Sequence, residues 1–273
     1  MRMRTLLAAV GSAACLSAVV AVGTTTASAA PSWAPAASAP VHPGVQTYTE
    51  GAQCTATFVF TDATDVYIGQ AAHCSGLGAA TETDGCLAQS HPIGTPVQVN
   101  GASKPGTMVY NSWLTMQQAG ETDANACAYN DFALVRLDPA DHGKVNPSIP
   151  FWGGPTGLGD ATAALERVYS YGNSSLRLGL TPLSPKTGTS LGTTGAGWTH
   201  PVYTLTPGIP GDSGSAFLDK DGKAIGVLST LALAPLPASN NVSDLGLALA
   251  YMEAKTPIDV DLALGTQAFN RRL

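Results

Sequence analysis

What this chain can fold into is limited first by how its apolar residues are cut up. The runs TATFVF, VYIGQ, FALVRL, VYSYG, VYTLT and AIGVLST are short, rich in β-branched and aromatic residues, and punctuated by Gly, Pro, Asn or Asp. Segments of that length and composition read as strands rather than helices. The punctuation is dense, with 30 Gly and 19 Pro in 273 residues, while charged residues make up only 12%. One stretch, DLGLALAYMEA near the C-terminus, reads as a helix with Ser243 or Asp244 as its N-cap. The expected class is all-β, in one large or two smaller domains, with enough chain for a sizeable core.

The N-terminus stands apart from that pattern. MRMR supplies a basic start, TLLAAVGSAACLSAVVAVG an apolar stretch and Ala27-Ser28-Ala29 a small-residue cleavage site, so residues 1–29 read as a signal peptide. An uncleaved anchor is the competing reading, because the apolar run nears the length of a membrane span. A lipid anchor on Cys15 fits poorly, since the apolar run continues past it. The mature chain is expected to be secreted, with no membrane contact after cleavage. Residues 30–50, rich in Ala, Pro and Ser, read as a linker or short pro-segment.

Cleavage would remove Arg2 and Arg4 and take the formal charge from −6 to −8. An acidic chain of this kind is a poor partner for nucleic acid. Cleavage would also remove Cys15 and leave Cys54, Cys74, Cys86 and Cys127. Four cysteines in an exported chain point to two disulfides, with three pairings open. Their spacing does not suit zinc, and no metal or cofactor is expected.

The run PGIPGDSGSA sets Ser213 among turn formers, just ahead of an apolar strand. A serine hydroxyl becomes a useful nucleophile only with a base beside it. All five histidines, His42, His73, His91, His142 and His200, precede Ser213. That order excludes the α/β-hydrolase arrangement, which also needs glycine where Ser215 stands. His73, at the end of the strand VYIGQ and next to Cys74, is the best-placed base; a Cys54–Cys74 bridge would pin it, adding on the order of 3 kcal/mol. The other four lie in linker or turn-like contexts. A carboxylate must orient the imidazole, and Asp131, directly before the strand FALVRL, can be carried inward. Asp123, Asp138 and Asp141 read as solvated turn residues.

Taken together, AAHC with a cysteine upstream, then NDFALV, then GDSGS, in the order His, Asp, Ser, resemble the trypsin/chymotrypsin family of serine proteases. The Gly- and Thr-rich character is similar to the secreted actinobacterial members, over roughly Gly51 to Thr256. A subtilisin-like order, using Asp62 or Asp65, would require an α/β fold that the scarcity of helices opposes. The resemblance implies two six-stranded antiparallel β-barrels with a C-terminal helix: a first barrel over 51–150, a second with the helix over 151–262, and a tail over 263–273. It implies a monomeric endopeptidase acting on polypeptides, with His73, Asp131 and Ser213 as the triad and the Gly211 and Ser213 amides as the oxyanion donors. It also implies Cys54–Cys74 and Cys86–Cys127 as the disulfides, the second tying a poorly periodic loop to the entry of the Asp131 strand. A catalytically silent binding protein on the same scaffold is the alternative.

Several positions depart from the family pattern. No Ile-Val-Gly-Gly sequence provides a new N-terminus to pair with Asp212, so an internal arginine is expected there, Arg177 in preference to Arg167. Pro207 stands where trypsin carries its selective aspartate, and Leu228, not histidine, precedes Ser229. Ser229 is expected to bond toward Asp131. Pro207, Gly208, Ile209, Ser229, Thr230 and Leu231 are the expected pocket residues, with Leu231 narrowing a site suited to small or apolar side chains. The stretch GTSLGTTGAGWTH is expected to be a mobile loop.

Overall fold

The computed structural model describes residues 32–79, 82–232 and 238–271. The segment read as a signal peptide lies outside the described residues. Two β structures organise the described residues. The first is an open eight-stranded sheet and the second a closed six-stranded barrel.

The first sheet contains β1 (Gln46–Thr49), β2 (Ala52–Thr55), β3 (Val59–Thr61), β4 (Val66–Gln70), β5 (Pro96–Val99), β6 (Gly106–Asn111) and β7 (Ala133–Arg136). The second is built from β8 (Ala164–Tyr171), β9 (Pro185–Leu191), β10 (Thr199–Thr204), β11 (Ala216–Leu218), β12 (Ala224–Ala232) and β13 (Ser239–Asp244), and is closed by the pairing of β9 with β10. A last strand, β14 (Asp261–Leu262), returns to the first sheet and pairs with β3. The first half therefore departs from a closed six-stranded barrel. Its order, β14-β3-β4-β7-β6-β5-β1-β2, gains strands from outside the expected boundaries.

Both boundaries move for that reason. The expected linker over 30–50 is largely built into the fold: Val41 is fully buried and bridges to Val145, and β1 pairs with both β2 and β5. Of the expected tail over 263–273, the described residues up to 271 are also built into the fold. Gln267 accepts the Gly154 amide at 3.0 Å, Thr266 bonds Asn146 and Ser148, and the Phe269 ring stands edge-on to Tyr169 at 5.2 Å.

Among the described residues there are three α-helices where one was expected. The C-terminal helix, α3 (Leu245–Lys255), starts at Asp244, whose Oδ1 accepts the Leu247 amide at 2.7 Å; Ser243 is the last residue but one of β13. The segment between Cys86 and Cys127 holds the other two, α1 (Ser112–Ala119) and α2 (Ala124–Tyr129). Asn111 caps the first through bonds from the Trp113 and Leu114 amides, and Gly120 ends it in the left-handed region. Asp123, read as a solvated turn residue, caps the second. Asp123 stays exposed, as expected, but Asp141 is not solvated: fully buried, it accepts Lys144 Nζ and Ser103, which hold its carboxyl down at about 2.

The cores explain how the two halves adhere. Phe58, Phe60, Tyr110 and Phe132 of the first half share one apolar cluster with Trp152, Tyr169, Leu218 and α3's Leu245 and Met252. Burial on this scale, at roughly 25 cal/mol per Å² of apolar surface, is the main force joining them. The stretch GTSLGTTGAGWTH is not a loop: its two ends are strands β9 and β10, joined by a short turn.

Candidate active site

His73 sits where β4 ends in a tight turn, Ala72–Ser75, and the Cys54–Cys74 disulfide ties that turn to β2. Cys86 is bonded to Cys127. Asp131 lies at the entry of β7 and is 3% exposed. Its Oδ2 is 2.7 Å from His73 Nδ1 and its Oδ1 accepts the His73 amide at 2.9 Å. Ser229 Oγ donates to Oδ2 at 2.6 Å, as expected of it. A carboxylate only accepts, so Nδ1 carries the imidazole proton and Nε2 is left as an acceptor.

The two groups tune one another. Burial alone would push the His73 imidazole down, but the Asp131 carboxylate outweighs it and holds the imidazole above its ordinary value. Burial would likewise raise Asp131, yet the imidazole and the Ser229 hydroxyl keep it below the usual carboxylate range. Asp131, and neither Asp62 nor Asp65, holds His73 Nδ1, and Asp62 is occupied elsewhere, accepting the Tyr67 hydroxyl at 2.6 Å, which removes the subtilisin-like order.

Ser213 occupies a turn that only glycines can flank. At Gly214 φ is +89°, and a Cβ would lie 2.3 Å from the Thr55 carbonyl oxygen. At Gly211 φ is +93° and a Cβ would meet the Gln53 side chain. The turn is fastened to β2 by the Thr55 amide on the Ser213 carbonyl and to β12 by the Gly214 amide on Leu228. Ser213 and His73 line one cleft of about 550 Å³, with Gly211, Gly208, Ile209, Ser229, Thr230 and Leu231. Leu231, 55% exposed, does not seal it. Pro207 is not among the lining residues; its carbonyl instead accepts Arg177 Nη2 at 3.2 Å.

Sequence reasoning missed three contributors. Asn240 is buried in β13 and lines the cleft, where its Oδ1 accepts the Gly208 amide at 2.8 Å. Trp113 lines it too, with its ring 6.4 Å from that of His73. Lys186 is the third. Asp212 is fully buried and pairs with Arg177 at 2.6 Å, but Lys186 Nζ also reaches the same oxygen at 3.1 Å. Burial pushes this ammonium below its usual range against the pull of Asp212. Arg167 is turned instead toward Thr187.

None of the other histidines lines the cleft. His200 differs most from expectation: it lies in β10, fully buried, with Nε2 2.7 Å from Asp244 Oδ2 and Nδ1 3.0 Å from Thr193 Oγ1. The pair ties β10 to the cap of α3.

No family model matches the sequence, and no curated protein matches it. Solved structures do. Thermobifida fusca protease A aligns at 17% identity and a TM-score of 0.54, over 82% of this chain and 99% of that one. The chain has the chymotrypsin-like fold. A glutamic-acid-specific serine protease described as using a histidine triad in substrate binding aligns at 17% identity and a TM-score of 0.52, over 82% of this chain and 100% of that one. A Glu endopeptidase aligns at 14% and 0.51, over 79% and 91%. In this chymotrypsin-like fold the cleft with His73 and Ser213 draws on both halves, since β2 and the Ala72–Ser75 turn supply one wall and β12 and β13 the other.

Proposed function

We propose that the chain is a secreted serine endopeptidase working through an acyl-enzyme. The observation that carries this reading is His73, bonded to buried Asp131, in one cleft with a serine on a glycine-flanked turn. Ser213 Oγ attacks the scissile carbonyl carbon while His73 Nε2 takes its proton, and Asp131 holds the ring and stabilises its charged form. The carbonyl oxygen becomes negative and is met by the Gly211 and Ser213 amides. His73 then returns the proton to the leaving amine. Water, activated by the same imidazole, releases the acyl group.

The pocket beside Ser213 is walled by Gly208, Ile209, Thr230 and Leu231, with no charged side chain among them, and the Asn240 amide is occupied with Gly208 and Thr230. That lining favours small or apolar side chains before the scissile bond. Two disulfides fit an oxidising compartment. Among the described residues no helix is long and apolar enough to cross a membrane. The steps above call on the chain's own groups, acting as a monomer on polypeptide substrates.

A fluorophosphonate probe tests the reading: the wild type should be labelled and Ser213→Ala should not. A folded wild type that resists labelling would favour the binding-protein alternative. The pH profile is a second check. A general base must be neutral, and Asp131 raises the His73 value, so the acid limb of kcat/KM should lie above the ordinary imidazole value, near 6.5. A limb well below it would disconnect His73 from the proton transfer.

A further inference from the structure

The turn that carries Ser213 is held from outside by side chains, and the hold has a direction. Ser174, only 2% exposed, stands just before the short turn Ser175–Arg177. Its Oγ accepts the Leu176 amide at 3.1 Å and lies 2.6 Å from the carbonyl oxygen of Pro210. A serine hydroxyl has one hydrogen. Because Leu176 supplies its own hydrogen to Oγ, the hydroxyl hydrogen goes to the Pro210 carbonyl. The Ser174 amide donates to Asp212 Oδ1 at 3.0 Å, fastening the residue to the turn at a second point.

The peptide between Pro210 and Gly211 is trans, the Gly154–Pro155 bond being the cis one among the described residues. In a trans peptide the C=O and N–H point in opposite directions. With the Pro210 carbonyl drawn back to buried Ser174, the Gly211 N–H faces the other way, toward the cleft that Gly211 lines. The carbonyl of Gly211 is fixed as well, by Thr55 Oγ1 at 2.7 Å and Gln53 Nε2 at 3.0 Å. Both peptide planes at Gly211 are therefore oriented by groups outside the turn. Glycine itself resists reorientation least of all residues.

We propose that Ser174 is a positioning residue whose hydroxyl locks the Pro210–Gly211 peptide, so that the Gly211 amide already points at the oxyanion site before substrate arrives. This rests on the acyl-transfer reading above. A donor aimed in advance stabilises charge as it develops, without reorganisation. The effect therefore belongs to the transition state and not to substrate binding.

Steady-state kinetics on a peptide thioester with an apolar residue before the scissile bond tests it. Ser174→Ala should lower kcat by about 10- to 100-fold with KM within about threefold, somewhat less than deletion of an oxyanion donor. Ser174→Thr, which keeps the hydroxyl, should restore most of the rate, as a purely packing role would not require. If thermal melting shows that the alanine variant does not fold, Ser174→Cys, which keeps the volume but donates weakly, should show the same loss confined to kcat. The inference is overturned by a folded alanine or cysteine variant with unchanged kcat, by threonine losing as much as alanine, or by a rise in KM alone. A wild type that neither cleaves the thioester nor takes the fluorophosphonate would overturn the proposed activity, and this inference with it. An active wild type with an unaffected alanine variant overturns only the role of Ser174.

Discussion

Asp131→Asn should leave the chain folded and lower kcat by roughly 10³- to 10⁴-fold. Three donors converge on the native carboxylate: the His73 ring, the His73 amide and the Ser229 hydroxyl. An asparagine has one oxygen and one NH2 group, so it can no longer accept on both sides. The main-chain amide cannot change its character. The imidazole can, by moving its proton from Nδ1 to Nε2, and in that tautomer it has no lone pair for the Ser213 proton. The side chain keeps its size, so the melting temperature should move far less than the rate. Kinetics and melting on the same preparation check this, and a loss below tenfold would remove Asp131 from the mechanism.

Replacing Asp212 by alanine should have the largest effect on stability, a loss of about 3–5 kcal/mol in urea unfolding. Asp212 is the shared partner of Arg177 and Lys186, whose side chains are 9% and 0% exposed. Without it two buried cations face each other with no anion, and the Ser174 and Ile209 amides lose their acceptor. A loss of that size is a large part of an ordinary domain's total stability. Lys186→Met should cost much less, because Arg177 still neutralises the carboxylate at 2.6 Å and methionine fills similar space. Equal losses in the two variants would show that Lys186, and not Arg177, carries the pair.

The residues proposed to bear the chemistry were legible because they lie in short, ordered motifs: AAHC, NDFALV and GDSGS each place one side chain at a strand end or turn. The strands were legible from their composition for the same reason. What could not be read depends on distant partners. Lys186, in PKTGT, has the local look of a solvated lysine; it is buried because β9 closes the barrel against β10, next to Asp212. Asn240 becomes part of the cleft only once β13 pairs with β12. Helices α1 and α2 are eight and six residues long, too short for a stripe to show. Their caps, Asn111, Gly120 and Asp123, were the available signal. β1 hid in a stretch that looked like spacer; it is held between β2, directly onward in the chain, and β5, some fifty residues on.

β14 gives the molecule an order of assembly. Thr61 of β3 is partnered by Asp261, so one flank of the first sheet waits for about two hundred further residues to be synthesised. Until they emerge, that strand offers bare amides and carbonyls that any neighbouring nascent chain could join. The N-terminal half thus depends on its own far end for protection against sticking, and a chain cut short before residue 261 would carry an exposed seam however well its remaining strands had paired.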